Sequence, residues 1–236
     1  MKSFFVTGTD TDAGKTYVSC QLLKALHHAG HSVIGLKPIS AGADADGLNA
    51  DAKALQQCSS CAIDYQQVNP ILLQQPAAPH LAAKAEGMVL TQNALDQALA
   101  LTAEMAVEYR LIEGAGGWLL PLDATYYYSD WVLAQQLPVI LVVGVKLGCL
   151  NHAMLTAREL QRSGATVLGW VANCVSPEML FLKENIADLT ARLPWPLLGI
   201  FDYASPDNVA AQQHNAAVAK LSAAQLVDRL QVIETL

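Results

Sequence analysis

The sequence predicts an α/β protein built on a single doubly wound, mostly parallel sheet flanked by helices. Three observations predict it. Six apolar runs alternate along the chain with segments of helical periodicity. Most of these runs are continuously apolar rather than alternating, as strands covered on both faces must be. A Gly-containing loop, Gly8 to Thr16, stands between the first run and the first helical pattern.

The elements follow in chain order. Residues 4–7 form a short apolar strand, and residues 15–29 follow it with Leu22, Leu23 and Leu26 at helical spacing. Residues 33–37, 109–112, 139–144, 167–173 and 196–200 supply five further strands. Residues 91–108, 129–136, 151–163, 179–193 and 222–233 supply further helices. Repeated strand–helix units of this kind give parallel neighbours through right-handed crossovers. Residues 40–49 are rich in Gly, Ala, Asp and Asn and read as a mobile loop. Residues 74–79 hold two prolines and read as a surface turn. No linker, repeat or low-complexity tract interrupts the chain, so residues 1–236 are expected to form one domain.

Of the 236 residues, 53% are hydrophobic and 15% charged, which supports a sizeable core and argues against disorder. The net charge of −7 disfavours a general nucleic-acid or membrane-surface binder, while a local basic pocket for phosphate stays open. The longest strong apolar run, residues 139–145, is far too short to span a bilayer. The N-terminus enters a strand at once, without a charged segment and a longer apolar stretch, which predicts no signal peptide and a cytoplasmic enzyme. Cys58-Ser59-Ser60-Cys61 is a single C-x-x-C with no second pair to complete a zinc site, so reduced thiols are expected. His27, His28 and His31 cluster near a helix C-terminus as solvated groups, and His80, His152 and His214 are isolated.

In such a sheet, ligands collect at the carboxyl ends of the strands. Strand, Gly-containing loop, helix is the setting in which backbone N–H groups cradle phosphate. Here Lys15 would reach the outer phosphates and the Thr16 hydroxyl would hold Mg²⁺. The loop is a variant of G-x-x-x-x-G-K-[ST]: Thr9 stands where the first glycine belongs, and Gly8 lies one place earlier. A P-loop NTPase-like fold is therefore expected. Lys37 ends the second strand beside Pro38, placed to stabilise charge on a transferring phosphoryl group rather than only to snorkel to solvent. Asp51 opens a helical stretch, either as a carboxylate favouring the helix N-terminus or as a Mg²⁺ ligand. Glu113 ends an apolar strand before Gly114-Ala115-Gly116-Gly117, where a carboxylate can orient Mg²⁺ and glycines let backbone approach a ligand. Lys146 and Gly148 follow the run at 139–144, and the free N–H groups of the helix near Asn151 can receive a carboxylate. Asn173 ends the next strand and can either read a purine edge or form a turn.

These stretches together, residues 8–16 (GTDTDAGKT), Lys37-Pro38, Asp51, residues 113–118 (EGAGGW), residues 142–151 (VVGVKLGCLN) and residues 169–173 (GWVAN), resemble dethiobiotin synthetase. The resemblance runs over nearly the whole chain, in order and with similar spacing. It implies an ATP- and Mg²⁺-dependent cyclo-ligase of biotin synthesis that converts 7,8-diaminononanoate and CO₂ to dethiobiotin, ADP and phosphate. A carbamate phosphorylated by ATP would be the intermediate. It also implies Lys15 and Lys37 as catalytic residues flanking the γ-phosphate and carbamate, with Thr16, Asp51 and Glu113 around Mg²⁺. The nucleotide would meet Asp12, Ala13, Gly14, Lys15, Thr16, Tyr17 and Asp51, then Glu113, Gly114, Ala115 and Gly116. Asn173, beside Cys174, matches the adenine-reading position, and Asp202, Tyr203 and Asp207 are assigned to adenine after it. The substrate would meet Ser40, Ala41, Gly117 and Asn151, the last across the interface of a homodimer.

Three departures stand out. The family often carries a hydroxyl residue immediately before Gly42, where this chain has Ala41 with Ser40 one place earlier. Either Ser40 substitutes or that hydrogen bond is absent. A tyrosine that reaches the substrate in some members is replaced by Asn185, and the usual Ile-Pro after the last strand reads Ile200-Phe201.

Other classes fit less well. A partitioning-type ATPase switch of the ParA/MinD kind carries a lysine five residues before the P-loop lysine, and that position is Asp10 here. A GTPase would present Asn-Lys-x-Asp, which Asn173-Cys174-Val175-Ser176 lacks. An inactive dimeric scaffold would have no need of Lys15, Thr16, Lys37 and Glu113.

Overall fold

The structure, a computed structural model, describes residues 1–205 and 207–233. In chain order the elements are β1 (Lys2–Gly8), α1 (Lys15–His28), β2 (Val33–Leu36), β3 (Ile39–Ala41), α2 (Ala50–Cys58), α3 (Tyr65–Val68), β4 (Ile71–Leu73), α4 (Pro79–Ala85) and α5 (Gln92–Ala100). There follow β5 (Tyr109–Glu113), α6 (Tyr128–Ala134), β6 (Val139–Val145), α7 (Cys149–Arg162), β7 (Val167–Cys174), α8 (Leu182–Arg192), β8 (Leu197–Phe201) and α9 (Val209–Ile233).

The six strands expected from the apolar runs form one sheet in the order β2-β5-β1-β6-β7-β8, and every pairing is parallel. Successive side chains of a strand point to opposite faces. Phe4 and Val6 accordingly join a core with Leu22, Leu26, Leu111, Ile140 and Leu226. Phe5 joins the other core, with Ile112, Trp131, Leu141, Leu160 and Trp170. The register brings strand ends together: Val6 lies beside Glu113, Gly8 beside Val142, Gly144 beside Asn173, and Asn173 beside Phe201. The chain leaves β1 for β2 on one side and later builds β6, β7 and β8 on the other, so the strand order reverses beside β1 and opens a crevice there.

Four segments differ from expectation. The helix expected at 91–108 ends at Ala100, because the Arg110 guanidinium takes the Leu99 carbonyl and the Thr102 hydroxyl, each at 3.0 Å, and turns the chain into β5. The last helix begins at Val209 rather than at residue 222. Its early buried face is built of Ala211, Asn215 and Ala219, which carry little hydrophobic signal. Residues 39–41, expected in or beside a mobile loop, form β3, which pairs with β4 in a second small parallel sheet. Residues 76–79 form a wall of the main cleft rather than a plain surface turn. Among the described residues no helix is long and apolar enough to cross a membrane.

Candidate functional site

The site grows from the end of β1. Asp10 caps a short 3-10 turn, Thr11–Ala13, by accepting from the Thr11 amide at 2.8 Å. Gly14 then turns the chain into α1 with φ +81°, a conformation that favours glycine. Lys15 and Thr16 therefore open α1 at the crevice. The Lys15 ammonium curls back onto the Asp10 and Thr11 carbonyls, at 2.9 and 3.2 Å. Burial, with the Lys37 ammonium adding to it, lowers the Lys15 pKa to about 8. Lys146, from the turn before α7, pairs with the Asp10 carboxylate at 3.3 Å.

The second component comes from two strand ends and a helix start. Lys37 follows β2, Glu113 ends β5 and Asp51 lies in the first turn of α2. The Lys37 ammonium reaches Asp51 Oδ2 at 2.9 Å and Glu113 Oε1 at 2.5 Å. The Thr16 hydroxyl donates to the same Glu113 oxygen at 2.8 Å. Burial opposes charge on Lys37, but the Glu113 and Asp51 carboxylates overcome it and hold the pKa above the ordinary lysine value. Burial likewise opposes charge on Asp51, and Lys37 with the Thr16 hydroxyl holds that carboxyl below its usual value.

The cleft over these groups has a volume of about 810 Å³. Thr11, Asp12, Gly14, Lys15, Thr16, Lys37 and Asp51 line it, with Ser40 and Ala41 from β3, Ala115 and Gly116 after β5, and Pro76 to Pro79 opposite. Glu113 is fully buried beneath it, and its Oε2 has no hydrogen-bond partner. An unpartnered buried carboxylate oxygen, beside a hydroxyl and a second carboxylate, is a hard-oxygen donor set of the kind that suits Mg²⁺. Thr16, Asp51 and Glu113 thus fit that ion, whereas no cluster of three or more His, Cys, Asp or Glu occurs among the described residues.

The remaining expected residues fall in three places. Ala13 is buried in the phosphate loop, and Gly114 packs so tightly that a Cβ would lie 2.7 Å from the Phe5 ring. Asn173, at the end of β7, donates to the Ala13 carbonyl at 3.0 Å, and Cys174 beside it is buried, its thiol pushed up to about 11 by burial and Asp202. The Tyr17 hydroxyl accepts from Asn215 Nδ2 at 2.8 Å, while Asn215 also bonds both backbone groups of Asp202. Asp202, Tyr203 and Asp207 are exposed in the β8–α9 connection and do not line the cleft. Gly117 and Asn151 do not line it either, and Asn151 is exposed near the start of α7. Sequence reasoning missed Asn49, Tyr65, Asn69, residues 76–79 and Asn215. Only Asn49 carries a local signal, as an Asn immediately before a helical stretch.

A parallel sheet with a phosphate loop at its switch point, two buried ammonium groups and a carboxylate at the neighbouring strand end defines a P-loop NTPase-like protein. The chain matches the family described as AAA domain over residues 2–208. It is 45% identical over 218 residues to "ATP-dependent dethiobiotin synthetase BioD 1" of Escherichia coli O157:H7, covering 90% of this chain and 96% of that protein. It is 49% identical over 207 residues to "ATP-dependent dethiobiotin synthetase BioD" of Yersinia pestis bv. Antiqua (strain Angola), covering 86% of each. The chain belongs to the ATP-dependent dethiobiotin synthetase family. Among solved structures it is similar to the septum site-determining protein MinD of Pyrococcus horikoshii, complexed with Mg-ADP, with TM-score 0.53, 16% identity and coverage of 98% and 96%. MinD of Pyrococcus furiosus gives a TM-score of 0.51 at 20% identity, covering 99% of this chain and 98% of that one. At such identities the likeness concerns the fold.

Proposed function

We propose that this chain forms dethiobiotin from 7,8-diaminononanoate, CO₂ and ATP in biotin biosynthesis, as a Mg²⁺-dependent cyclo-ligase. One amine attacks CO₂ to give a carbamate and a proton. The carbamate oxygen takes the γ-phosphoryl group of ATP, releasing ADP. The second amine then attacks the carbonyl carbon, closing the ureido ring and expelling phosphate.

The observation that carries this reading is Lys37 Nζ held between Asp51 and Glu113 beside the loop of Lys15 and Thr16, in a chain of this family. Phosphoryl transfer asks a protein mainly for positioning and for charge stabilisation. Lys15 turns from the loop carbonyls to the outer phosphates, and Lys37 faces the carbamate. Thr16, Asp51 and Glu113 would hold Mg²⁺, which when bound neutralises charge on the phosphates. Residues 12–17 and 113–116 surround the nucleotide's phosphates. Asn173 and Cys174, with Asp202, Tyr203 and Asp207 on the adjoining strand connection, face the adenine. Ser40 and Ala41 face the diamine in the cleft, and Gly117 is assigned to it from just behind the wall that Gly116 forms.

Asn151 reaches the site of a second copy in a homodimer. Its exposure supports this, as do the exposed Leu147 and Leu155 around it. A cytoplasmic place fits this chemistry. The decisive assay supplies diaminononanoate, bicarbonate and Mg·ATP and follows a ureido product by mass. ATP turnover indifferent to the diamine would instead indicate a nucleotide switch.

A further inference from the structure

We infer that Tyr65 and Asn69 are positioning residues that set the geometry of Lys37 against Asp51, an inference that rests on the proposed reading of the site. Pro38 ends the β2 ladder, so the peptide after Lys37 offers no N–H to a neighbouring strand. Two consecutive residues take over there. The Lys37 amide donates to the Val68 carbonyl at 2.8 Å, and Asn69 Nδ2 donates to the Lys37 carbonyl at 2.6 Å. Lys37 is thereby pinned on both sides of its Cα by the end of α3.

Asn69 is buried, and its other amide atom is also engaged. Oδ1 accepts from Ser40 Oγ at 2.8 Å and from the Tyr65 hydroxyl at 3.0 Å. The Tyr65 hydroxyl in turn accepts from the Asn49 amide at 2.7 Å. Asn49 is the N-cap of α2, its Oδ1 accepting from Ala52 at 3.2 Å, and Asp51 lies in the turn so capped. The contact of Asp51 with Lys37 Nζ closes the ring. Lys37 and Asp51 are thus joined twice, once directly from ammonium to carboxylate and once from the Lys37 carbonyl through Asn69, Tyr65 and Asn49. Satisfied polar networks of this kind rigidify what they connect.

The ring also decides what Ser40 can do. Its hydroxyl hydrogen is spent on Asn69, so Ser40 Oγ offers only lone pairs to the cleft it lines. An acceptor there suits an amine or a carbamate N–H and not a carboxylate oxygen.

Tyr65→Phe removes only the hydroxyl that links the two arms. The groups facing the Lys37 ammonium are Asp51 from α2, Glu113 from β5 and Lys15 from α1. Loosening Asp51 should let the capped first turn of α2 open, read as faster amide hydrogen exchange at Ala52 and Lys53 in Tyr65→Phe than in the wild type. The same change should lower kcat about tenfold with little effect on KM for ATP, and should do nothing further in an Asp51→Asn background. Unchanged exchange at the start of α2, or an equal kcat loss in both backgrounds, overturns the inference. Faster exchange there in a protein whose wild type makes no ureido product supports the positioning role and rejects the reaction instead.

Discussion

Asn173 Nδ2 donates to the Ala13 carbonyl across 3.0 Å, so the end of β7 braces the phosphate loop from the side. Gly14 makes that approach possible. A Cβ on Gly14 would lie 2.0 Å from the same nitrogen, and its φ of +81° disfavours any side chain. Gly14→Ala therefore carries a backbone cost of about 1–2 kcal/mol and a collision besides. ATP affinity, measured by calorimetric titration, should fall more than about tenfold. Adding Asn173→Ala should cost less than the two single losses together, because the colliding atom is gone while the strained φ and the lost adenine contact stay. Strictly additive losses would show that the contact is not the cause.

Lys37 and Glu113 are a buried pair, so deleting one partner strands the other. Lys37→Met leaves the Glu113 carboxylate uncompensated and should cost about 3–5 kcal/mol in urea denaturation. The Lys37→Met/Glu113→Gln double variant should regain most of that stability. Neither variant should form product, since the ammonium proposed to face the carbamate is absent from both. Product formation by the double variant would remove Lys37 from the chemistry.

The depressed Lys15 ammonium has two consequences of known sign. Between about pH 8 and the ordinary value of 10.5 the unfolded chain binds more protons at this residue than the folded one. Its contribution to stability therefore rises with pH across that window. Phosphate brought beside Lys15 restores its charge, so ATP binding near pH 8 should take up about half a proton. Titration calorimetry in two buffers of different ionisation enthalpy measures the uptake. A value of zero would mean that Lys15 does not meet the phosphates.

Glu113 Oε2 is buried without a protein partner, which makes the metal requirement sensitive to this residue. Glu113→Gln should move the Mg²⁺ dependence of product formation to about tenfold higher concentration. A superimposable metal titration would place the carboxylate outside the Mg²⁺ site.

The central sheet was legible in the sequence because strands buried on both faces read as unbroken apolar runs, and all six are where those runs lie. The second sheet was not, since β3 and β4 are three residues each and no periodicity survives at that length. Five of the site residues were legible one by one: Lys15 and Thr16 from their loop, Lys37 and Glu113 as charges at apolar strand ends, and Asp51 as an acid opening a helix.

What the sequence determined by itself was therefore the class of fold and the cast of ionisable groups, because both are written in local patterns of apolarity and charge. Only the tertiary structure decided which groups touch. Thr16 meets Glu113 across 97 positions of chain, Lys37 meets Glu113 across 76, and Asn69 meets the Lys37 carbonyl across 32. The side-by-side register of β1, β2 and β5 and the packing of α2 and α3 against them create those contacts, and neighbours along the chain carry no trace of them.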